Sequence, residues 1–270
     1  MDFCGVNQLK VGIVGCGHLG QGIALSLIQN GFPKEKLMLS YRGNPATYQQ
    51  LEEKGLVSCL CENQTILEQA DILFITIKPQ DIMSMEGNRA AKDALIVSCA
   101  AGLPISLLQK VFSAERIYRM MLSGPDTILE GKGVAAIYPE QEVLAGLLNQ
   151  MRVQKIPLSG EGDLNAFSAA VCLPAAMLQE SDPEKIQAGV CAIGKEYPLF
   201  LDLYDWAKQV RPSLRTQEEI DAYIAKMATK GGITEAIVNS LKRQEPFADA
   251  LHKGIERGIE ISSAVQSSLK

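Results

Sequence analysis

The chain has 270 residues, 47% of them hydrophobic and 21% charged, a balance that supports a packed core and argues against intrinsic disorder. Its 26 basic and 31 acidic side chains leave a net charge of −5, with no basic stripe to suggest nucleic acid and no run of like charge. No apolar stretch approaches the ~18 residues needed to cross a bilayer, and Met1–Gln8 lacks the features of an export leader, so a cytoplasmic protein away from the membrane is expected.

In chain order, Leu9 to Val14 is an apolar strand followed at once by Gly15-Cys16-Gly17-His18-Leu19-Gly20. A helical pattern through Ile23, Ala24, Leu27 and Ile28 then stops at Asn30-Gly31. Lys36–Ser40 reads as a second strand and Pro45–Lys54 as a helix. Asp71–Ile77 and Ala94–Cys99 are near-continuous apolar runs, the pattern of parallel strands buried on both faces. Pro104–Val111 is the next helix, Arg116–Met121 and Gly133–Tyr138 are strands, and a helix lies between Gln141 and Met151. The alternation predicts an α/β fold, a Rossmann-type doubly wound sheet.

Near Ser159-Gly160-Glu161-Gly162-Asp163 the pattern changes, and no strand is predicted beyond it. Ser181-Asp182-Pro183-Glu184 and the capping box Thr216-Gln217-Glu218-Glu219 start helices; Gly231-Gly232 interrupts, and a last helix runs from about Pro246 to the end. Two domains follow: 1–160, α/β, and 161–270, all-α. Phe247, Leu251, Ile255 and Ile259 recur at every fourth position, with Ala250, Gly254 and Gly258 beside them. That face either packs within its own domain or brings helices together across a homodimer or larger homo-oligomer.

Two histidines, His18 and His252, are too far apart for a local ligand motif. The seven cysteines, at 4, 16, 59, 61, 99, 172 and 191, are odd in number and irregular in spacing. They read as reduced, mostly buried thiols; Cys59-Leu60-Cys61, two thiols on one face of an extended segment, has redox or metal binding as its alternative, and no metal is expected.

The Gly15-x-Gly17-x-x-Gly20 turn sits after a strand and opens a helix, the context a dinucleotide fingerprint needs. Gly15 permits the tight turn, Gly17 lets the backbone approach a pyrophosphate, and Gly20 lets the helix pack closely; His18 contributes its backbone N–H. An ordinary glycine-rich βα turn is the alternative. NAD-specific folds carry an acid about twenty residues on. Here the second strand ends Ser40-Tyr41-Arg42-Gly43-Asn44. Ser40 and Asn44 can hydrogen-bond a 2′-phosphate and Arg42 can pair with it, which predicts NADPH over NADH. Arg42 as a solvated loop residue is the competing reading.

Ile77-Lys78-Pro79-Gln80, Ser98-Cys99-Ala100-Ala101-Gly102, Arg119-Met120-Met121 with Pro125, and Lys230-Gly231-Gly232-Ile233-Thr234 occur in the order found in pyrroline-5-carboxylate reductases, which the chain resembles from about residue 9 to 262. The resemblance implies a Rossmann domain followed by a helical dimerisation domain, and proline biosynthesis by NADPH-dependent reduction of a cyclic imino acid. It places Gly15, Gly17, His18, Leu19 and Gly20 on the pyrophosphate, and Lys78-Pro79 and Ala100-Ala101 along the nicotinamide half. Gly231, Gly232, Ile233 and Thr234 would hold the substrate carboxylate through backbone N–H groups, with Thr234 hydrogen-bonding the imine nitrogen as the catalytic residue. Thr234-Glu235 is equally what plain helix-start chemistry would put there.

Three segments depart from the family: Met-Pro-Asn-Thr-Pro is here Met121-Leu122-Ser123-Gly124-Pro125, Gly-Ser-Gly-Pro-Ala is Val171-Cys172-Leu173-Pro174-Ala175, and Pro-Gly-Gly-Thr-Thr is Lys230-Gly231-Gly232-Ile233-Thr234. They mark a divergent member. A reductase of another imine or small carbonyl acid, and a non-catalytic nucleotide-binding paralogue, are the alternatives.

Overall fold

A computed structural model describes residues 5–267; Cys4 and the first half of the Met1–Gln8 segment lie outside the described residues. The chain divides into two compact units, Met1–Pro157 and Leu158–Lys270.

The first unit is built on β1 (Val11–Val14), β2 (Leu37–Ser40), β3 (Ile72–Ile75), β4 (Leu95–Ser98), β5 (Ile117–Leu122), β6 (Val134–Tyr138) and β7 (Gln154–Lys155). They form one sheet in the order β2-β1-β3-β4-β5-β6-β7. All neighbours are parallel except β5 and β6. Every residue of β1, β3 and β4 is buried, which is why these strands read as unbroken apolar runs. Around the sheet lie α1 (His18–Gln29), α2 (Pro45–Glu53), α3 (Asn63–Gln69), α4 (Ile105–Phe112), α5 (Pro125–Leu129) and α6 (Glu142–Gln150). This is the Rossmann-type architecture expected.

Register positions the site. Val14 is level with Ser40 on one side and Ile75 on the other, and Ile75 with Ser98, so four strands end together at one edge. The Asp71–Ile77 strand is shorter than its apolar run, because the Thr76 hydroxyl turns back to the Val14 and Gly15 carbonyls. Strand β7 was not predicted: both its residues are exposed, so no apolar signal marks it. Cys59 closes a 3-10 turn, Val57–Cys59, rather than lying in an extended segment. Of the six described cysteines, all free, Cys16 and Cys59 are buried, Cys61, Cys99 and Cys172 are half-buried, and Cys191 is exposed.

The second unit is helical: α7 (Asp163–Ala170), α8 (Leu173–Ala176), α9 (Pro183–Ile193), α10 (Leu199–Val210), α11 (Gln217–Met227), α12 (Ile233–Lys242) and α13 (Phe247–Ser267). Asp182 caps α9 by accepting from the Glu184 and Lys185 N–H groups, and Thr216 and Glu219 complete the capping box of α11. Phe247, Leu251 and Ile255 are buried where α13 packs on α12, α7 and α9.

The small-residue stripe of α13 is used inside this unit. A Cβ on Gly254 would lie 2.6 Å from Ile237 Cδ1, and one on Gly258 3.4 Å from Asn165 Oδ1. Ala250 is fully buried. Close approach within the domain therefore accounts for Gly254, and Ala250 is taken up in the core, whereas the contact at Gly258 is an ordinary one.

Candidate functional site

The Gly15–Gly20 turn is held by its own backbone and by two neighbouring strands. The Cys16 N–H donates to Ser40 O at 2.6 Å and the Gly17 N–H to Gly15 O at 2.6 Å. Thr76 Oγ1 donates to Gly15 O at 2.9 Å, a partner sequence reading missed. Gly15 has φ +91°, and a Cβ there would lie 2.5 Å from Ile77 Cγ2, so only glycine fits. Gly20 lies against β1 and β3: its Cβ would sit 3.1 Å from Ile13 Cγ2 and 2.9 Å from Thr76 Oγ1.

Gly17 differs. It is the N-cap of α1, with no side-chain cap, and a Cβ there would meet nothing nearer than Gly15 O at 3.9 Å. Protein packing does not demand glycine at this position; the open space beside the backbone is what a pyrophosphate at a helix N-terminus would fill. His18, exposed, and Leu19, half-buried, form the first turn whose N–H groups face that end.

At the end of β2, Ser40 is buried and its Oγ has no hydrogen-bond partner. It lines a cavity of about 260 Å³ with Tyr41, Leu60, Cys61, Glu62 and Asn63. An orphaned buried hydroxyl beside a cavity suits a ribose or phosphate oxygen. The sequence pointed to Ser40 but not to 60–63, which reach it through the long-range Leu39–Leu60 bridge and the Cys61 N–H to Leu39 O bond. Asn44 caps α2 through its Oδ1, accepting from Ala46 and Thr47 N–H at 2.9 and 3.2 Å, so a phosphate could be met only by its Nδ2 amide. Arg42 is exposed yet paired, Nη2 to Asp81 Oδ2, at 2.8 Å.

Lys78, exposed, precedes the 3-10 helix Pro79–Met85 just past β3, and Ala100-Ala101 follow β4, with the Ala100 N–H on Ser98 Oγ at 3.3 Å. Ser40–Arg42, the glycine turn, Lys78-Pro79 and Ala100-Ala101 thus occupy four adjacent parallel strand ends in that order. Four strands span about 14 Å. Strand β1 lies between β2 and β3, the topological switch where open α/β sheets bind ligands. At the neighbouring departure, Ser123 is turned inward: its Oγ accepts from Val134 N–H at 3.1 Å and lies 2.7 Å from Thr127 Oγ1.

In the second unit Gly231 has φ +71° and Gly232 is the N-cap of α12, without a side-chain cap. The Gly231 N–H donates to Glu235 Oε2 at 2.6 Å and its carbonyl accepts from Arg257 Nε at 2.7 Å, while the Gly232 N–H donates to Thr229 O at 2.8 Å. The chain's own carboxylate already sits on this turn, and the Ile233 and Thr234 N–H groups head the helix. The Ile233 side chain is buried, so only its backbone can face a ligand.

Thr234 is half-buried with Oγ1 3.2 Å from Cys172 Sγ, and that sulfur also donates to Ser168 O at 3.3 Å. Burial pushes the Cys172 thiol up to about 11, against a smaller opposing effect of the Thr234 contact, so it stays protonated near neutral pH. The Val171-Cys172 backbone stays right-handed from α7 into α8. Among the described residues no group of three or more His, Cys, Asp or Glu could hold a metal ion, and no helix is long and apolar enough to cross a membrane.

A family model described as NADP oxidoreductase coenzyme F420-dependent matches residues 10–102. The pyrroline-5-carboxylate reductase of Pasteurella multocida is 30% identical over 125 residues, which cover 44% of this chain and 45%, about half, of that protein. Pyrroline-5-carboxylate reductase 2 of Bacillus subtilis is 24% identical over 265 residues, 95% of each chain. The crystal structure of Plasmodium falciparum pyrroline carboxylate reductase with NADP bound shares the fold, with a TM-score of 0.56, 19% identity, and coverage of 96% of this chain and 98% of that one. The nucleotide turn and the strand-end order stand beside these similarities: the chain is similar in sequence to pyrroline-5-carboxylate reductases and shares their fold.

Proposed function

We propose that the protein is an NADPH-dependent reductase of a cyclic imino acid, 1-pyrroline-5-carboxylate to L-proline, serving amino-acid biosynthesis. The observation that carries this reading is the row of four strand ends bearing Ser40–Arg42, the open Gly17 turn, Lys78-Pro79 and Ala100-Ala101. When bound, the nicotinamide supplies the hydride, so the chain needs few catalytic side chains. Gly15, Gly17 and the first turn of α1 hold the pyrophosphate, and Ser40 with Arg42 take the 2′-phosphate. In the second unit the Ile233 and Thr234 N–H groups receive the substrate carboxylate, while the Thr234 hydroxyl hydrogen-bonds the imine nitrogen. A cyclic imine is basic enough to arrive protonated, so orientation outweighs acid strength.

Self-association and a cytoplasmic location belong to the same proposal. Leu201 and Ile259, exposed large apolar side chains of the helical unit, suit the first, and the six free described cysteines suit a reducing compartment. A second reading, reduction of a different imine or small carbonyl acid, is favoured by Ser123, whose hydroxyl is committed to β6 and α5 where the family carries Asn.

The test is NADPH oxidation with 1-pyrroline-5-carboxylate, then with a panel of cyclic imines and oxo acids, beside NADPH binding measured alone. Turnover of the first substrate supports the proposal, and turnover only within the panel supports the second reading. Binding without turnover points to a non-catalytic paralogue. Thr234→Ala is expected to lower kcat about tenfold or more, with NADPH affinity unchanged. Unchanged imine reduction removes Thr234 from the reaction.

A further inference from the structure

The Arg42–Asp81 pair joins two loops that the sheet keeps apart. Arg42 follows β2, and Asp81 lies in the 3-10 helix after β3; β1 runs between those strands. Adjacent strands are about 4.8 Å apart, so β2 and β3 are about 10 Å apart across β1. Nevertheless Arg42 Nη2 and Asp81 Oδ2 are 2.8 Å from each other. Val14 is level with both Ser40 and Ile75, so both loops leave the sheet at the same edge as the Gly15–Gly17 turn that follows β1. The partners are unequal: the Arg42 side chain is 70% exposed and that of Asp81 24%. Asp81 is the fixed one, its N–H donating to Lys78 O at 2.9 Å and its carbonyl accepting from Ser84 Oγ at 2.7 Å.

An arginine presents one planar fork, and a carboxylate competes with a phosphate for it. A 2′-phosphorylated nucleotide must therefore displace Asp81 or place its phosphate beside a carboxylate. An unphosphorylated ribose meets neither penalty and leaves the link intact. We propose that Asp81 is a specificity-determining residue for the nucleotide: by holding Arg42 it lowers discrimination in favour of NADPH below what Arg42 alone would confer. The proposal rests on reading the first unit as a dinucleotide site.

Full-length wild type, Asp81→Asn, Asp81→Ser and the double variant Arg42→Ala/Asp81→Asn are titrated with NADPH and with NADH, following nicotinamide fluorescence without substrate. The pair is partly exposed and its effect modest: both single variants are expected to bind NADPH about threefold to tenfold more tightly, with NADH affinity changed less than about twofold. In the double variant the gain disappears, because no guanidinium is left to release. An unchanged NADPH-to-NADH affinity ratio in single variants that bind both nucleotides overturns the role of Asp81 and leaves the dinucleotide reading standing. Binding of neither nucleotide by the wild type overturns that reading, and this proposal with it.

Discussion

Cysteine behaviour in this protein is set by surroundings rather than spacing. Cys16 is pushed up to about 12 and Cys172 to about 11, in both cases chiefly by burial, whereas Cys191 is exposed. The thiolate is the reactive form, and a rise of two units lowers its population about hundredfold. Alkylation at pH 8 followed by peptide mapping should therefore label Cys191 well before Cys16 and Cys172; labelling of all three at similar rates would contradict the burial described. Single residues differed in how far the sequence exposed them. Gly15 and Gly20 were legible because a fingerprint needs glycine at those positions. Asn44 serves as a helix cap through its side-chain oxygen, a role the sequence reading did not assign it, and Asp81 carried no signal that it would meet Arg42, 39 residues away.

Between α12 and α13 one carboxylate ties the elements together. Glu245 accepts hydrogen bonds from Lys253 and Ser240, and from Arg243 Nε at 3.0 Å, which hold its carboxyl down to about 2 from the usual 4.5. A depressed carboxyl contributes stability above its unfolded value and loses it as pH falls through its folded value. Glu245→Gln should therefore lower Tm at pH 7, and the deficit relative to wild type should shrink as pH drops from about 4.5 towards 2. Thermal melts across that range check it; a deficit independent of pH would show that the charge is not responsible. Most elements were legible because buried parallel strands are apolar throughout and helix starts carry their own caps, as at Asp182 and Thr216. β7 was not, since two exposed residues joined to β6 bear no local mark.

Assembly is the property of the whole chain that is most open to test. In the helical unit Ile259, 49% exposed, and Leu201, 45% exposed, are large apolar side chains that solvent reaches. Sedimentation at micromolar concentration should give a mass of at least twice 29.3 kDa. Ile259→Asp should shift it towards the monomer, because an ionised side chain is costly to bury in a contact. A wild-type protein that sediments only as a monomer would remove the homo-oligomer proposal.

Taken alone, the amino-acid order determined the two kinds of architecture, the change between them near residue 160 and the place of the glycine turn. Each of those is a local matter of periodicity, capping or backbone sterics. Tertiary structure decided which side chains were still available. Register brought four strand ends level, the Leu39–Leu60 bridge carried residues 60–63 to Ser40, and the loops after β2 and β3 set Asp81 against Arg42. Such pairings join residues distant in sequence, and no local pattern encodes them, because the contact exists only once the sheet has formed.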